Sequence, residues 1–154
     1  MTTERRFTTT STGGTEDLGR RLGLELRGGD VVLLEAELAA GKTTLVRGLV
    51  DGLGGHRTDV SSPTFVLIQS YDCNTGDITT LHHVDLYRLG ERSAEVREIG
   101  IEDTLSETAA VTAIEWPKTA IAPWIPTEAR VWRVAIAVEE DDSRSITITP
   151  PDEP

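Results

Sequence analysis

The stretch from Val31 to Leu53 constrains this chain more than any other. Four apolar residues, Val31 to Leu34, run together after the turn residues Gly28, Gly29 and Asp30. A short apolar run bounded in this way reads as a strand buried on both faces, the kind found inside parallel sheets. Gly41-Lys42-Thr43-Thr44 follows. Leu45, Val46, Leu49, Val50 and Leu53 then recur at helical spacing until Gly54-Gly55 closes the helix. A buried strand joined through a tight loop to an amphipathic helix favours a mixed α/β sheet over a bundle.

The flanking segments agree. Glu16 to Leu26 reads as a short amphipathic helix with Thr15 as its N-cap. Phe65 to Tyr71 and Ile78 to Asp85 read as strands around a turn at Asp72 to Asp77. Glu91 to Leu105 reads as helical or partly helical, and Ala109 to Ile114 as a second buried strand. Val131 to Val138 and Ser145 to Thr149 are closing strands around the acidic turn Glu139 to Asp142. The expected architecture is one α/β domain over residues 1–150, with 151–154 a short flexible tail.

The strand, loop and helix carry a chemical implication. A loop that wraps phosphate needs inward backbone N–H groups, a helix N-terminus behind them and a lysine that reaches the terminal phosphates. It also needs a hydroxyl for magnesium. Lys42 supplies the ammonium, Thr43 the hydroxyl, and Gly41 a close backbone approach. The fuller motif has glycine where this chain has Ala36. Hydrolysis needs carboxylates as well, and these sit just past apolar strands in such folds. Asp85, after Leu81 to Val84, and Glu115, after Ala109 to Ile114, stand in that position. Ser62-Pro63-Thr64-Phe65 reads either as a turn or as a switch loop whose Thr64 hydroxyl senses the γ-phosphate or metal. His82 and His83 are neighbours, face opposite sides of a strand and do not make a shared metal site. Cys73 has no base beside it in the sequence and reads as non-catalytic.

The formal net charge of -11 argues against a chain that grips nucleic acid by its own charge, because phosphate contacts need clustered Lys and Arg. No apolar run reaches membrane-span length, so no membrane association is expected. Met1 to Thr12 carries no apolar signal region, and a cytoplasmic location is the expectation.

Five segments in order resemble the TsaE (YjeE) family, the ATPases of bacterial tRNA threonylcarbamoyladenosine (t6A) formation. They are ELAAGKTTLVRGL (37–49), SSPTF (61–65), HVDLYRL (83–89), EIGIEDTL (98–105) and AIEWPK (113–118). The resemblance runs from about Phe7 to Trp132. It implies a single P-loop NTPase-like domain with a mixed, mainly parallel central sheet flanked by helices. It implies ATP and Mg2+ as ligands, with Glu37, Leu38, Ala39, Ala40, Gly41, Lys42, Thr43 and Thr44 around the phosphates. Thr43 and Glu115 would complete the magnesium shell, and Lys42, Asp85 and Thr64 would serve hydrolysis. Trp116 would serve the nucleotide site or a partner surface, and Thr12 to Thr15 would lie near the adenine. The implied partner is a TsaD–TsaB-type complex that threonylcarbamoylates adenosine 37, so tRNA is met only indirectly. The family loop resembles GDLGAGKTT, whereas this chain carries Ala36 and Ala39 in place of two glycines. An alanine forced to positive φ costs about 1 kcal/mol or more, which predicts weakened nucleotide binding if Ala39 occupies such a position. Two other readings stand beside this one. A P-loop small-molecule kinase would use Arg88, Arg92 and Arg97 as a lid, and a nucleotide-binding module would have lost catalysis through Ala36 and Ala39.

Overall fold

A computed structural model of the protein describes residues 3–36, 41–60, 68–86, 100–115 and 119–152. Seven strands form one sheet: β1 (Arg5–Thr9), β2 (Val31–Ala36), β3 (Ile68–Thr75), β4 (Ile78–Asp85), β5 (Ala110–Glu115), β6 (Val131–Val138) and β7 (Arg144–Thr149). Their spatial order is β1-β7-β6-β2-β5-β4-β3. The four central strands β6, β2, β5 and β4 run parallel. β1 and β7 add antiparallel pairs at one edge and β3 adds one at the other. The expected mixed sheet with a parallel centre is therefore the observed one.

β2 shows why its sequence is apolar throughout. Val32 and Leu34 point into one core layer, with Leu45, Val46, Leu49 and Val50 of α2 (Lys42–Gly52) and Leu18 and Leu22 of α1 (Thr12–Gly23). Val31 and Leu33 point into the other layer, with Ile101 and Leu105 of the short helix α3 (Ile101–Leu105) and Ile121 of the 3-10 turn Thr119–Trp124. Each such side chain, taken fully from water, stabilises the fold by about 1.5–3 kcal/mol before entropy is counted. At the foot of the sheet the buried Asp30 carboxylate accepts from Trp132 Nε1 at 3.0 Å and from the Arg27 backbone N–H at 2.9 Å. The Trp132 bond ties the start of β2 to β6, and the Arg27 bond closes the turn before it.

The two helices on the first face touch through glycine. Gly19 and Gly23 of α1 oppose Gly48 and Gly52 of α2, and a methyl on any of them would meet the other helix's backbone rather than a side chain. Helices packed this closely hold their N-termini in fixed relation, which matters below.

Several expectations need correction. α1 begins at Thr12 rather than Glu16 and ends at Gly23 rather than Leu26. Its N-cap is Ser11, whose Oγ accepts from Gly14 N at 3.0 Å, and Thr15 lies buried inside the first turn. A good cap outweighs the breaker signal of Gly13-Gly14. β3 continues past Tyr71 to Thr75, with an irregularity between Asp72 and Thr75, so the turn shrinks to Gly76 and Asp77. Burial of Cys73 and the pairing of Asp72 with Thr80 extend the ladder. β1 was not anticipated. The stretch Glu91 to Leu105, expected to be helical or partly helical, needs no correction: Ile101–Leu105 is helix and 91–99 lie outside the described residues. In the expected tail 151–154, Pro151 is buried, and 153–154 lie outside the described residues.

Candidate functional site

The strand ends at the top of the sheet assemble the site. β2 stops at Ala36, which packs half-buried against the core, and α2 starts at Lys42. Gly41 between them has φ 110° and ψ 19°. That left-handed conformation is open to glycine and strained for other residues, and the nearest atom to a Cβ there would be Thr15 Cγ2 at 3.5 Å. Backbone conformation, rather than crowding, is what this glycine answers. The Gly41 carbonyl accepts from Leu45 N at 2.9 Å, which opens the helix. The first N–H groups of α2 have no partner within the helix, and they give its N-terminus an affinity for anions.

Two carboxylates lie beside this helix start. Asp85 ends β4 and Glu115 ends β5, and the two are register partners. Glu115 is also the register partner of Leu34, near the end of β2. The expected acids thus stand in a single row across adjacent parallel strands. Glu115 is 5% exposed and Asp85 is half-buried. The Lys42 side chain is buried as well, at 7% exposure. Burial pushes its ammonium below the ordinary lysine range, while the Glu115 and Asp85 carboxylates pull in the opposite direction. Lys42 therefore sits within the field of both acids. Thr43 follows it, half-buried, on the first turn of α2. Hydroxyl and carboxylate oxygens are hard donors that suit magnesium, which takes few protein ligands and completes its shell with water and phosphate. Thr43 and Glu115 fit that demand.

A cavity of about 310 Å³ adjoins the helix start. Thr12 and Thr15 of α1, Gly41 and Thr44 of α2, and Asp142 and Arg144 of the β6–β7 hairpin line it. Thr15 Oγ1 is held 2.7 Å from Thr9 Oγ1. The two N-terminal threonines expected near a base line the same cavity as Gly41. Asp142 and Arg144 were not anticipated. They come from a turn about a hundred residues away, read in the sequence only as acidic, and no local signal marks them. Asp142 has φ 67°, and Ser143 beside it bonds the Asp141 carboxylate through both N and Oγ.

Glu37, Leu38, Ala39 and Ala40 of the loop, Thr64 and Trp116 lie outside the described residues. Cys73 is buried in β3 and its thiol is pushed up to about 11 by burial, which suits an inert residue. The two adjacent histidines behave differently. His82 Nδ1 meets Ser70 Oγ at 2.8 Å and His82 Nε2 meets Glu107 Oε2 at 2.7 Å. His83 turns to the other face, with Nε2 3.2 Å from Glu115 Oε2. Among the described residues no helix is long and apolar enough to cross a membrane.

Comparison with known proteins places these features in a family. The family model described as "Threonylcarbamoyl adenosine biosynthesis protein TsaE" matches residues 9–146. A Streptomyces coelicolor protein named tRNA threonylcarbamoyladenosine biosynthesis protein TsaE is 41% identical over 135 residues, covering 86% of this chain and 88% of that one. A Bacillus subtilis protein of the same name is 37% identical over 79% of this chain and 70% of its own. Among solved structures, Bacillus subtilis YdiB superposes with a TM-score of 0.70 at 26% identity, covering 99% of this chain and 88% of that one.

Proposed function

Because this chain belongs to the TsaE family of threonylcarbamoyladenosine biosynthesis proteins, we propose that it binds ATP with Mg2+ at the start of α2 and hydrolyses it. In this reading the hydrolysis serves a TsaD–TsaB-type partner complex that modifies adenosine 37 of tRNA. One observation carries the proposal. A buried lysine on the first turn of a helix, behind a left-handed glycine, lies in the field of two carboxylates that end adjacent parallel strands.

The chemistry follows from those groups. Phosphate oxygens settle on the N–H groups of the α2 N-terminus, where the helix dipole favours negative charge. The Lys42 ammonium, already partly stripped of water, meets the terminal phosphates and offsets charge that builds up on them during transfer. Thr43 and Glu115 would hold Mg2+, which when bound would supply neutralisation of the phosphate charge. Asp85, more open than Glu115, orients the attacking water and takes up its proton. Thr64 would sense the γ-phosphate from its switch loop, and Trp116 would stand next to the metal acid in the chain. The base and ribose would enter the cavity between Thr12, Thr15 and the β6–β7 hairpin. The acidic surface accords with a protein that meets tRNA through partners rather than directly.

Calorimetric titration of ATP and Mg2+ into the wild-type chain and Lys42→Ala tests the first half of the proposal. Saturable wild-type binding that vanishes in the variant supports it, and equal binding by both defeats it. Phosphate release measured with and without the partner complex tests the second half. Release that the complex leaves unchanged would argue against coupling.

A further inference from the structure

His83 stands out among the described polar side chains. It is only 2% exposed, and neither ring nitrogen has a hydrogen-bond partner among the described residues. An unsatisfied buried polar group costs about 1–3 kcal/mol, so such a ring calls for an explanation. His82 beside it shows the ordinary alternative, with both nitrogens engaged by Ser70 and Glu107. His83 instead leans toward Tyr71, ring centroids 6.5 Å apart, and brings Nε2 to 3.2 Å from Glu115 Oε2. That distance is within donor reach, but the direction falls short of a full hydrogen bond.

The sheet dictates this approach. His83 is the register partner of Ala113, so Glu115, two residues further along β5, projects from the same face one step up the diagonal. Both residues lie on the sheet face that carries Leu81 and Ala113, core residues grouped with those of α1 and α2. Glu115 can therefore be steadied from below by the ring while its upper side faces Lys42.

We propose that His83 is a positioning residue for Glu115: its Nε2–H holds one carboxylate oxygen and leaves the other to the metal side of the site. The inference rests on the reading of Glu115 as a magnesium ligand. Nε2 has a carboxylate oxygen close by and Nδ1 has no acceptor among the described residues, so an N–H at Nε2 faces Glu115. A slight turn of either group completes the bond. Carboxylates that bind metals are characteristically oriented by such partners, and losing one costs roughly 10–100-fold in metal affinity.

The test compares wild type, His83→Phe and His83→Gln. ATP affinity is measured by calorimetry with Mg2+ and again with EDTA, and thermal melting is followed in parallel. His83→Phe keeps the ring volume without a donor, and His83→Gln restores an N–H at a similar reach. The affinity gained on adding Mg2+ is expected to shrink about tenfold in His83→Phe. Affinity in EDTA should be unchanged, and His83→Gln should recover most of the gain. If His83→Phe does not fold, His83→Leu takes its place against His83→Gln. A donor-less variant that keeps the full magnesium gain, or that weakens binding equally with and without metal, overturns the role of His83 alone. A wild-type chain with no magnesium gain at all removes the reading of Glu115 and this inference with it.

Discussion

Gly48→Ala probes how closely the proposed nucleotide site depends on the contact between α1 and α2. A Cβ on Gly48 would fall on the Glu16 carbonyl oxygen, 2.8 Å from Arg20 N and 2.9 Å from Gly19 Cα. Ordinary van der Waals contact begins near 3.4 Å, and all three neighbours are backbone, so one helix must move rather than a side chain. Alanine gains about 1 kcal/mol of helix propensity over glycine. Overpacking a tight contact costs about 1–3 kcal/mol, and a backbone clash on three atoms belongs at or beyond the top of that range. The balance is a net loss of about 2 kcal/mol, or roughly 4–8 °C in Tm for a chain of this size. The displacement also parts Thr12 and Thr15 from Gly41 and Thr44, which share one cavity. ATP affinity should then fall together with stability. Urea unfolding and calorimetry on the same preparation read both. A variant as stable as wild type, or one destabilised with its affinity intact, would refute this coupling between the glycine contact and the site.

Other outcomes follow from single groups. Burial holds the Lys42 ammonium below its ordinary range, so its charged form costs the folded state stability at neutral pH. Lys42→Met should raise Tm while lowering ATP affinity roughly ten- to hundredfold, the worth of a charge-assisted hydrogen bond at about 1.5–3 kcal/mol; a lower Tm would contradict the sign. The Cys73 thiol is raised from 9.0 to about 11, so the fold binds its proton more tightly than the unfolded chain does. Its contribution should be complete below pH 9 and be lost as pH rises through about 11, seen as a shrinking Tm difference between wild type and Cys73→Ala. Asp85→Asn should spare ATP binding and stop phosphate release, whereas Glu115→Gln should weaken binding only when Mg2+ is present; calorimetry giving the opposite pattern would exchange the two roles. Ala39→Gly should tighten ATP binding by up to several-fold and by more than Ala36→Gly, about 1 kcal/mol at most; equal affinities would show both alanines to be neutral.

What could be read from the sequence was local. Val31 to Leu34 followed by Gly41 to Leu53 carries strand, loop and helix in its own periodicity, and the structure has β2 and α2 there. Asp85 and Glu115 were recognisable because each follows an apolar run, and apolar runs end where sheets meet solvent. β1 escaped notice because Arg-Arg-Phe-Thr-Thr has no apolar run, and it becomes a strand through pairing with β7 at the far end of the chain. The start of α1 was misplaced because Gly13-Gly14 reads as a break until Ser11 is seen to cap the turn. His83, Arg144 and the four glycines between the helices take their meaning from neighbours distant in sequence. Only a folded chain shows that His82 and His83, alike in composition and adjacent, have such different surroundings.

The row that joins Leu34, Glu115 and Asp85 works as a ruler. Neighbouring strands are spaced about 4.7–4.9 Å apart by their hydrogen bonds, whatever side chains they carry. The separation of the two acids, and their offset from the strand that leads to Lys42, is thus graduated by the backbone ladder. Substitutions that keep the strand register leave that scale unaltered. A slip of one residue in β4 or β5, by contrast, would turn its acid through to the opposite face. The spacing of the two acids is therefore indifferent to what the strands are made of and sensitive to how they are aligned.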